Sequence, residues 1–359
     1  MRTAPLVIGV SGLLVITACA SPAPMVKVAA ESGTLTVYVR PGGASAAGGS
    51  AQVRADSATR LGVTAQTAVG SLADAQAVIA ARRAKNVTVL LHGGTYHDAD
   101  MRWTAGTPAD TITVAPQAGT GEVVFDGRKI KNSGYWTIVT PRSAKLVFKG
   151  PMTVKYYGAG GIRAVGNASD GPVRGLVVKG ITFTHMGNAW IKHGKGYAAL
   201  HLGYVEGAKI QNNKFSNLEN KQKKKGSKSK DSNPGAIHGV YFAFNDHDDT
   251  AGSNHNLVEG NTFSVISGDP IRAADGSSYN IARNNTFTTG KSYQKKTVGS
   301  GHYGTFTYWV FSRAKKCGKG NKFYGKKTYL SYYKKSIPGA ASGSDVSHFS
   351  CKSVTRAGS

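Results

Sequence analysis

Four short segments of the chain share one pattern, in which a small residue is followed by an aliphatic and then by a basic residue. They are Gly161-Ile162-Arg163, Ala199-Leu200-His201, Ala236-Ile237-His238 and Pro270-Ile271-Arg272. Side chains alternate between the two faces of a strand, so an inward aliphatic residue leaves its basic neighbour outward. If these strands stack about 4.8 Å apart, the pattern predicts one outward ladder of basic side chains.

Such a ladder has the residue types that β-elimination on a uronate polymer requires. The reaction needs a cation to neutralise the carboxylate, a base for the C5 proton and an acid for the leaving O4. Arg163 or Arg272 could supply the cation, and His201, His238 or Tyr241 the base and the acid. A neutral histidine is suited to act as a base near neutral pH. The alternative is that these are ordinary polar residues on an exposed sheet face.

Acidic residues offer two weaker candidates. Asp269 lies beside the strand of Arg272 and is assigned to the substrate-binding face, where it could pair with Asp275 or with an acid of the segment 246–249 in a hydrolase. Asp246-His247-Asp248-Asp249 could hold Ca²⁺, but it lacks a recognisable loop spacing, which favours a solvated loop. The sequence contains no P-loop, dinucleotide fingerprint or zinc spacing.

The charge of the chain points to a polyanionic partner. Lys and Arg number 45 against 19 Asp and Glu, which gives a formal net charge of +26. The segment 221–230 contains a run of lysines, of which Lys223, Lys224 and Lys225 are candidate substrate-binding residues. For an exported protein these features favour acidic polysaccharide over nucleic acid. The alternative is that the charge serves solubility alone and the run is merely solvated.

Strand-like segments recur along the chain, each ending in a Gly or Asn turn and a phenylalanine. They are 175–183, 208–215, 256–263 and 280–287, with a weaker copy at 320–323. Phe215 and Phe263 are 48 residues apart and Phe263 and Phe287 are 24 apart. This period predicts a solenoid whose corners need positive φ, with Asn side chains bonding between layers and Phe filling the interior.

The segment before these repeats is predicted to form strands and one short helix. Thr34 to Arg40 is a strand that Pro41-Gly42-Gly43 should end, and Val87 to Leu91 is a second strand that runs into a glycine turn. Between them, Ser71 is placed as an N-cap, and Ala75, Val78 and Ile79 form an apolar helical face up to Arg83.

The helix, the strand and Gly-Gly-Thr-Tyr turn at 87–96 and the Asn-x-Phe repeats resemble the pectate-lyase-like superfamily. The resemblance covers roughly residues 34–323. It implies an all-β fold, a single-stranded right-handed parallel β-helix with a short N-terminal capping helix. We expect this domain to be a monomer. Because that superfamily includes lyases, hydrolases, epimerases and binding proteins, it implies no single activity. A polysaccharide lyase on an acidic glycan is the first hypothesis, and a glycoside hydrolase or a non-catalytic envelope protein that binds anionic polysaccharide are the alternatives.

The first residues are typical of an export signal. The apolar run from Leu6 to Ala18 is too short to span a bilayer. Residues 16–19 resemble a lipobox, which makes Cys19 the lipidated first residue of a cell-surface lipoprotein, although 18–20 also fit ordinary secretion. Any membrane contact would be through that lipid. Residues 19–33 then form a tether and 34–359 one domain.

Two cysteines remain near the end of the chain. Cys317 and Cys351 form an even pair in an oxidising compartment, so a disulfide that pins the segment 305–359 is expected. The alternative is two unrelated free thiols.

Overall fold

In a computed structural model the chain is mostly β-structure in parallel sheets. The structure describes residues 34–44, 62–104, 109–131, 133–192, 196–220, 237–244, 251–288, 306–309, 318–324, 330–332 and 354–357.

The single α-helix of the described residues, α1, runs from Leu72 to Arg82 as predicted, and one 3-10 turn covers Gly127–Lys129. The Ser71 side chain accepts a hydrogen bond from the Asp74 backbone N–H, so the predicted N-cap is confirmed. Leu72, Ala75, Val78 and Ile79 are buried against the N-terminal strands. The helix therefore covers the apolar end of the strand stack.

Among the described residues the larger sheet, sheet A, has 15 strands and every pairing in it is parallel. Its main path is β1 (Thr34–Ala44), β2 (Asn86–Leu91), β5 (Thr111–Pro116), β8 (Lys145–Lys155), β11 (Val177–Met186), β14 (Lys209–Gln211), β17 (Leu257–Glu259), β20 (Ile281–Arg283), β23 (Asn321–Tyr324) and β25 (Val354–Ala357). Beside this path lie β3 (Gly94–Tyr96), β6 (Val123–Asp126), β15 (Lys214–Leu218), β18 (Thr262–Ile266) and β21 (Thr286–Thr288).

The second sheet, sheet B, has eight strands in the part of the chain that the structure describes and is also parallel. In order these are β4 (Met101–Trp103), β7 (Tyr135–Val139), β9 (Gly160–Val165), β12 (Ala198–Gly203), β16 (His238–Ala243), β19 (Ile271–Ala274), β22 (Phe306–Trp309) and β24 (Leu330–Tyr332). A short pair, β10 (Val173–Arg174) and β13 (Val205–Glu206), lies apart.

The predicted end of β1 is wrong. The strand continues through Pro41 to Ala44 instead of ending at Arg40. Its pairing with β2 runs only from Thr34 to Val39, and β1 is the terminal strand of the sheet path. Proline's missing N–H therefore removes no bond of that ladder.

From β14 onward the chain repeats one course: two strands in sheet A, then one in sheet B. We call each passage of the chain through sheet A and then sheet B, including those before β14, a layer. Corresponding strands of successive layers pair in parallel, as in Phe215↔Phe263 and Phe263↔Phe287. β22 and β23 continue the course and pair with β19 and β20.

Two predicted features of the layers are confirmed. The rings of Phe183, Phe215, Phe263 and Phe287 stack with centroids 5.3, 4.8 and 5.4 Å apart. Asparagine side chains also bond between layers in two ladders: Asn213, Asn261 and Asn285, and Asn256, Asn280 and Asn321. The Phe stack fills the interior, and the amide hydrogen bonds of each Asn ladder connect successive layers at a corner.

Candidate functional site

The predicted outward ladder exists on sheet B, with one member exchanged. Strand pairing places one residue of each layer directly opposite the next, in the order Ile138, Arg163, His201, Tyr241, Arg272 and Thr307. Arg163, His201 and Arg272 are therefore neighbours in register with Tyr241, as stacked strands require.

The assignment of His238 to the ladder is wrong. His238 begins β16 and pairs with Ala198, whereas Tyr241 pairs with His201. The triplet that fits the register is Gly239-Val240-Tyr241, three residues further along the chain. The sequence pattern required a basic residue, and the matching position in this layer holds a tyrosine.

Burial confirms which face each side chain occupies. The aliphatic members Ile162, Leu200, Val240 and Ile271 are fully buried in the main core. On the opposite face Arg163 and His201 are partly exposed, whereas Tyr241 is 9% and Arg272 is 4% exposed. The ladder therefore runs from an accessible end at Arg163 to a buried end at Arg272.

His201 lies among three tyrosines. Its Nδ1 is 3.3 Å from the Tyr135 hydroxyl. Its ring is nearly parallel to those of Tyr241 and Tyr197, with centroids 5.6 and 6.0 Å away. Tyr197 is 55% exposed, so this group reaches the surface. A half-buried imidazole held by a phenol hydroxyl can bind or transfer a proton.

Gly160 makes the contact between Tyr135 and His201 possible. It pairs directly with Tyr135, and a Cβ built on Gly160 would lie 3.1 Å from the Tyr135 ring and 1.8 Å from the Ala198 carbonyl oxygen. Because glycine has no side chain here, the phenol can lie across this layer towards His201 in the next.

A buried ion pair lies at the other end of the ladder. The Arg272 Nε donates to Asp269 Oδ2 over 2.6 Å, and the Asp269 side chain is fully buried. The guanidinium carbon of Arg272 is 5.6 Å from the Tyr241 ring centroid. The Asp269 carboxylate thus balances the charge of Arg272, and the Arg272 guanidinium packs near the Tyr241 ring.

His238 lies beside this ion pair and accepts a hydrogen bond from the backbone of Asp269. The Asp269 backbone N–H donates to His238 Nδ1 over 2.9 Å. An amide nitrogen can only donate, so Nδ1 carries no proton and the neutral ring has its proton on Nε2. The 3.4 Å approach of Nδ1 to Asp269 Oδ2 is therefore a close contact and not a charged hydrogen bond.

The remaining predicted residues are divided between buried positions and parts of the chain outside the described residues. Asp275 is fully buried. Outside the described residues lie Lys223, Lys224, Lys225, the segment 246–249, Cys19, Cys317 and Cys351. Within the described ranges no group of three His, Cys, Asp or Glu side chains is placed to hold a metal. No helix in those ranges is long and apolar enough to cross a membrane.

The sequence pattern missed Tyr135 and Tyr197, which both contact His201. The layer of Tyr135 has Thr137-Ile138 where the other layers carry the pattern, so it has no basic residue to detect. Tyr197 directly precedes β12 and lies outside any triplet. Aromatic residues at the start of sheet B strands are the signal that would have found both.

Comparison with known proteins found no matching family model, no matching curated protein and no matching solved structure.

Proposed function

We propose that the chain is an exported polysaccharide lyase that cleaves an acidic, uronate-containing glycan by β-elimination at the sheet B ladder. The observation that carries this proposal is the register Arg163–His201–Tyr241, a cation, an imidazole and a phenol in successive layers of one outward face. These are the three kinds of group that the reaction needs.

In the proposed reaction Arg163 binds the substrate carboxylate and offsets the charge that develops on it. His201 removes the C5 proton. The C–H electrons form the C4=C5 double bond, the C4–O4 bond breaks, and the Tyr241 hydroxyl protonates O4. When His201 Nδ1 donates to the Tyr135 oxygen, Nε2 carries the lone pair that accepts the proton.

The buried end of the ladder has a different role in this scheme. Arg272 is 4% exposed and paired with Asp269, so it is less suited than Arg163 to meet a substrate carboxylate. We assign Arg272, Asp269 and His238 to positioning Tyr241. Asp269 and Asp275 are both fully buried, which favours a lyase over a hydrolase that uses these carboxylates.

The proposed fold is a right-handed parallel β-helix of the pectate-lyase-like kind. The parallel pairing of corresponding strands in successive layers supports it. We further propose that Cys19 carries a lipid, on the lipobox-like residues before it. Replacing it by serine should then move the protein from the membrane fraction to the soluble fraction.

A screen of polyuronates tests the activity. The full mature protein is incubated with polygalacturonate, alginate and neutral dextran, with and without Ca²⁺, while ultraviolet absorbance of the unsaturated product is followed. We expect absorbance with one acidic polymer and a loss of about 100-fold in rate for His201→Ala. His255→Asn is the matched control, because His255 is not a member of the ladder and has a φ of 56° that asparagine tolerates.

The net charge of +26 favours a second candidate, a non-catalytic protein that binds the same polymers. Salt-sensitive binding with no absorbance and no new reducing ends would support it and contradict the lyase.

A further inference from the structure

A second group of aromatic and basic side chains lies outside the sheet B ladder. We call it the aromatic ridge, and its members are Arg128, Lys155, Tyr156, His185 and Trp190. It forms where β8 and β11 of sheet A end and the chain turns towards sheet B. The pairing Lys155↔Thr184 makes Tyr156 and His185 neighbours in successive layers.

The ridge is a continuous series of ring contacts. The Arg128 guanidinium carbon lies 4.1 Å from the Tyr156 ring centroid. The rings of Tyr156 and His185 are 5.3 Å apart, and Trp190 meets His185 edge-on at 4.5 Å. Since layers are about 4.8 Å apart, the ridge is comparable in length to a short oligosaccharide.

Positive charge dominates the ridge. No carboxylate in the described ranges lies within ion-pair distance of Lys155, whose ammonium is 5.9 Å from the Tyr156 ring. Arg128 is paired with the buried Asp126 over 2.7 Å but keeps 56% of its side chain exposed. Lys129 and Lys131 follow in sequence and are exposed. The cations therefore outnumber the single carboxylate.

His185 adds a neutral ring to this positive surface. Burial lowers its pKa, and the charges of Lys155 and Arg128 lower it further. The imidazole is then uncharged at neutral pH, so the charge of the ridge is that of its lysines and arginine.

The backbone of this corner does not require aromatic side chains. Tyr156 and His185 have φ of 62° and 51°, a region that asparagine and glycine adopt most readily. In the next two layers the same corner holds Asn217 and Val265, with φ of 53° at both. The rings at 156 and 185 are thus not explained by the turn, which suggests a role in binding.

We propose that the aromatic ridge is a second binding site for acidic polysaccharide, separate from the sheet B ladder. Arg128 and Lys155 bind carboxylates of the polymer, and Trp190 packs against a sugar ring. This inference rests on the proposed function for the class of polymer, and it adds a surface that holds the polymer away from the site of cleavage.

Binding of polygalacturonate and alginate to the full chain tests the ridge. Affinity is measured at low and high salt for wild type, for the double variant Arg128→Gln/Lys155→Gln and for Tyr156→Asn. Glutamine at 128 keeps a donor for Asp126, and asparagine suits the φ of position 156. The controls are Arg283→Gln, also a half-exposed arginine in an ion pair, and Tyr279→Asn, a tyrosine at another corner with φ of 56°.

We expect the double variant to lose affinity about fivefold at low salt, since each charge contributes modestly, and Tyr156→Asn to weaken binding as well. Both controls should bind as wild type does.

Wild-type affinity in both ridge variants, combined with a loss of affinity in Arg163→Gln, would contradict a binding role for the ridge while still supporting the ladder. If the ridge variants lose affinity while Arg163→Gln and His201→Ala change neither binding nor turnover, the ridge is supported and the ladder is contradicted. Absence of binding by the wild-type chain would overturn both.

Discussion

At the scale of single residues, the sheet B ladder has an accessible end and a buried end. Arg163 and His201 are partly exposed, and Arg272 is buried with its charge balanced by Asp269. A buried arginine with a carboxylate partner is a rigid support and a poor ligand for a second carboxylate. Tyr241 lies between the two groups, stacked on His201 and flanked by Arg272.

Removing the Tyr135 hydroxyl should weaken catalysis without disturbing the stack of rings. In Tyr135→Phe the ring remains over Gly160, but His201 Nδ1 loses the oxygen 3.3 Å away. We expect kcat to fall at least about tenfold with little change in KM, and the pH profile of kcat to shift. Steady-state kinetics over a range of pH measures both. Tyr279→Phe is the control, and an unchanged profile in Tyr135→Phe would show that the hydroxyl does not orient the imidazole.

Breaking the buried ion pair should destabilise the protein. Asp269→Asn removes the carboxylate 2.6 Å from Arg272, whose side chain is 5% exposed. Loss of one partner of a buried pair costs about 3 kcal/mol in the free energy of unfolding. Urea unfolding measures this cost. The matched variant Glu259→Gln removes the partner of Arg283, which is 47% exposed, and should cost under about 1 kcal/mol. Equal costs would mean that the Asp269 charge is not supporting the fold.

At the scale of elements, the asparagine ladders explain how short strands are held in register. The Asn261 side chain is buried; its Nδ2 donates to the Asn285 side chain and to the Ile210 carbonyl. Its Oδ1 accepts from the Asn213 backbone N–H. The asparagine of one layer therefore provides hydrogen bonds for buried polar groups at the corner of the neighbouring layers. The backbone pairing of strands of three to five residues could not satisfy these groups alone.

Replacing Asn261 by leucine tests that role. The variant leaves the Asn213 N–H and the Ile210 carbonyl without these partners in a buried corner. We expect a loss of about 3 kcal/mol in the free energy of unfolding, the sum of two unsatisfied groups. Asn167→Ala, in the exposed turn where Asn167 accepts from Asp170, should cost about 0.5 kcal/mol. If Asn261→Leu lowers the free energy of unfolding as little as the control does, the structural role of the asparagine ladder is contradicted.

The capping helix carries a pH-dependent contact. Asp98 Oδ1 accepts a hydrogen bond from the Leu72 backbone N–H at the start of α1. Burial, followed by the charge of Asp74, raises the pKa of Asp98 to about 6, although hydrogen bonds with backbone N–H groups oppose the shift. The folded state then binds a proton more tightly than the unfolded state, so the charged carboxylate lowers stability above about pH 6 and not below about pH 4.

Asp98→Asn should remove this dependence. Asparagine keeps an oxygen for Leu72 but carries no charge. The difference in the free energy of unfolding between variant and wild type should therefore favour the variant more at pH 7 than at pH 4. The change in the stability difference is on the order of 2 kcal/mol. Thermal or urea unfolding at both pH values measures it, and Asp110→Asn at an exposed ion pair is the control. A stability difference that is the same at pH 4 and pH 7 would contradict the raised pKa.

At this scale the sequence predicted much of what the structure contains. The 24-residue spacing of Phe263 and Phe287 and the Asn turns predicted the stacks, because buried rings and corner amides must recur at each layer. The N-cap at Ser71 was equally visible. The place of Tyr241 in the ladder could not be predicted in this way, because the small–aliphatic–basic pattern does not include a tyrosine.

At the scale of the whole molecule, two surfaces of different composition face away from the core. The sheet B ladder combines ionisable groups in register, whereas the aromatic ridge is a corner of rings and cations. Sequence spacing alone predicts neither the contact of Tyr135 with His201 nor the aromatic ridge. Each joins residues of different layers that are more than 25 positions apart in the chain. In a chain with net charge of +26, both surfaces suit a polyanion.

The most direct test of the central claim is the mass of the products formed from the polyuronate that the protein acts on, with the reaction run in heavy-oxygen water. β-Elimination breaks the C4–O4 bond without adding water. In samples taken before the new reducing end exchanges its oxygen with water, we therefore predict fragments that end in an unsaturated uronate and contain no heavy oxygen, and their loss in His201→Ala. Heavy oxygen at a new reducing end would show hydrolysis, and intact polymer under conditions of binding would show a non-catalytic protein; either result would contradict the account.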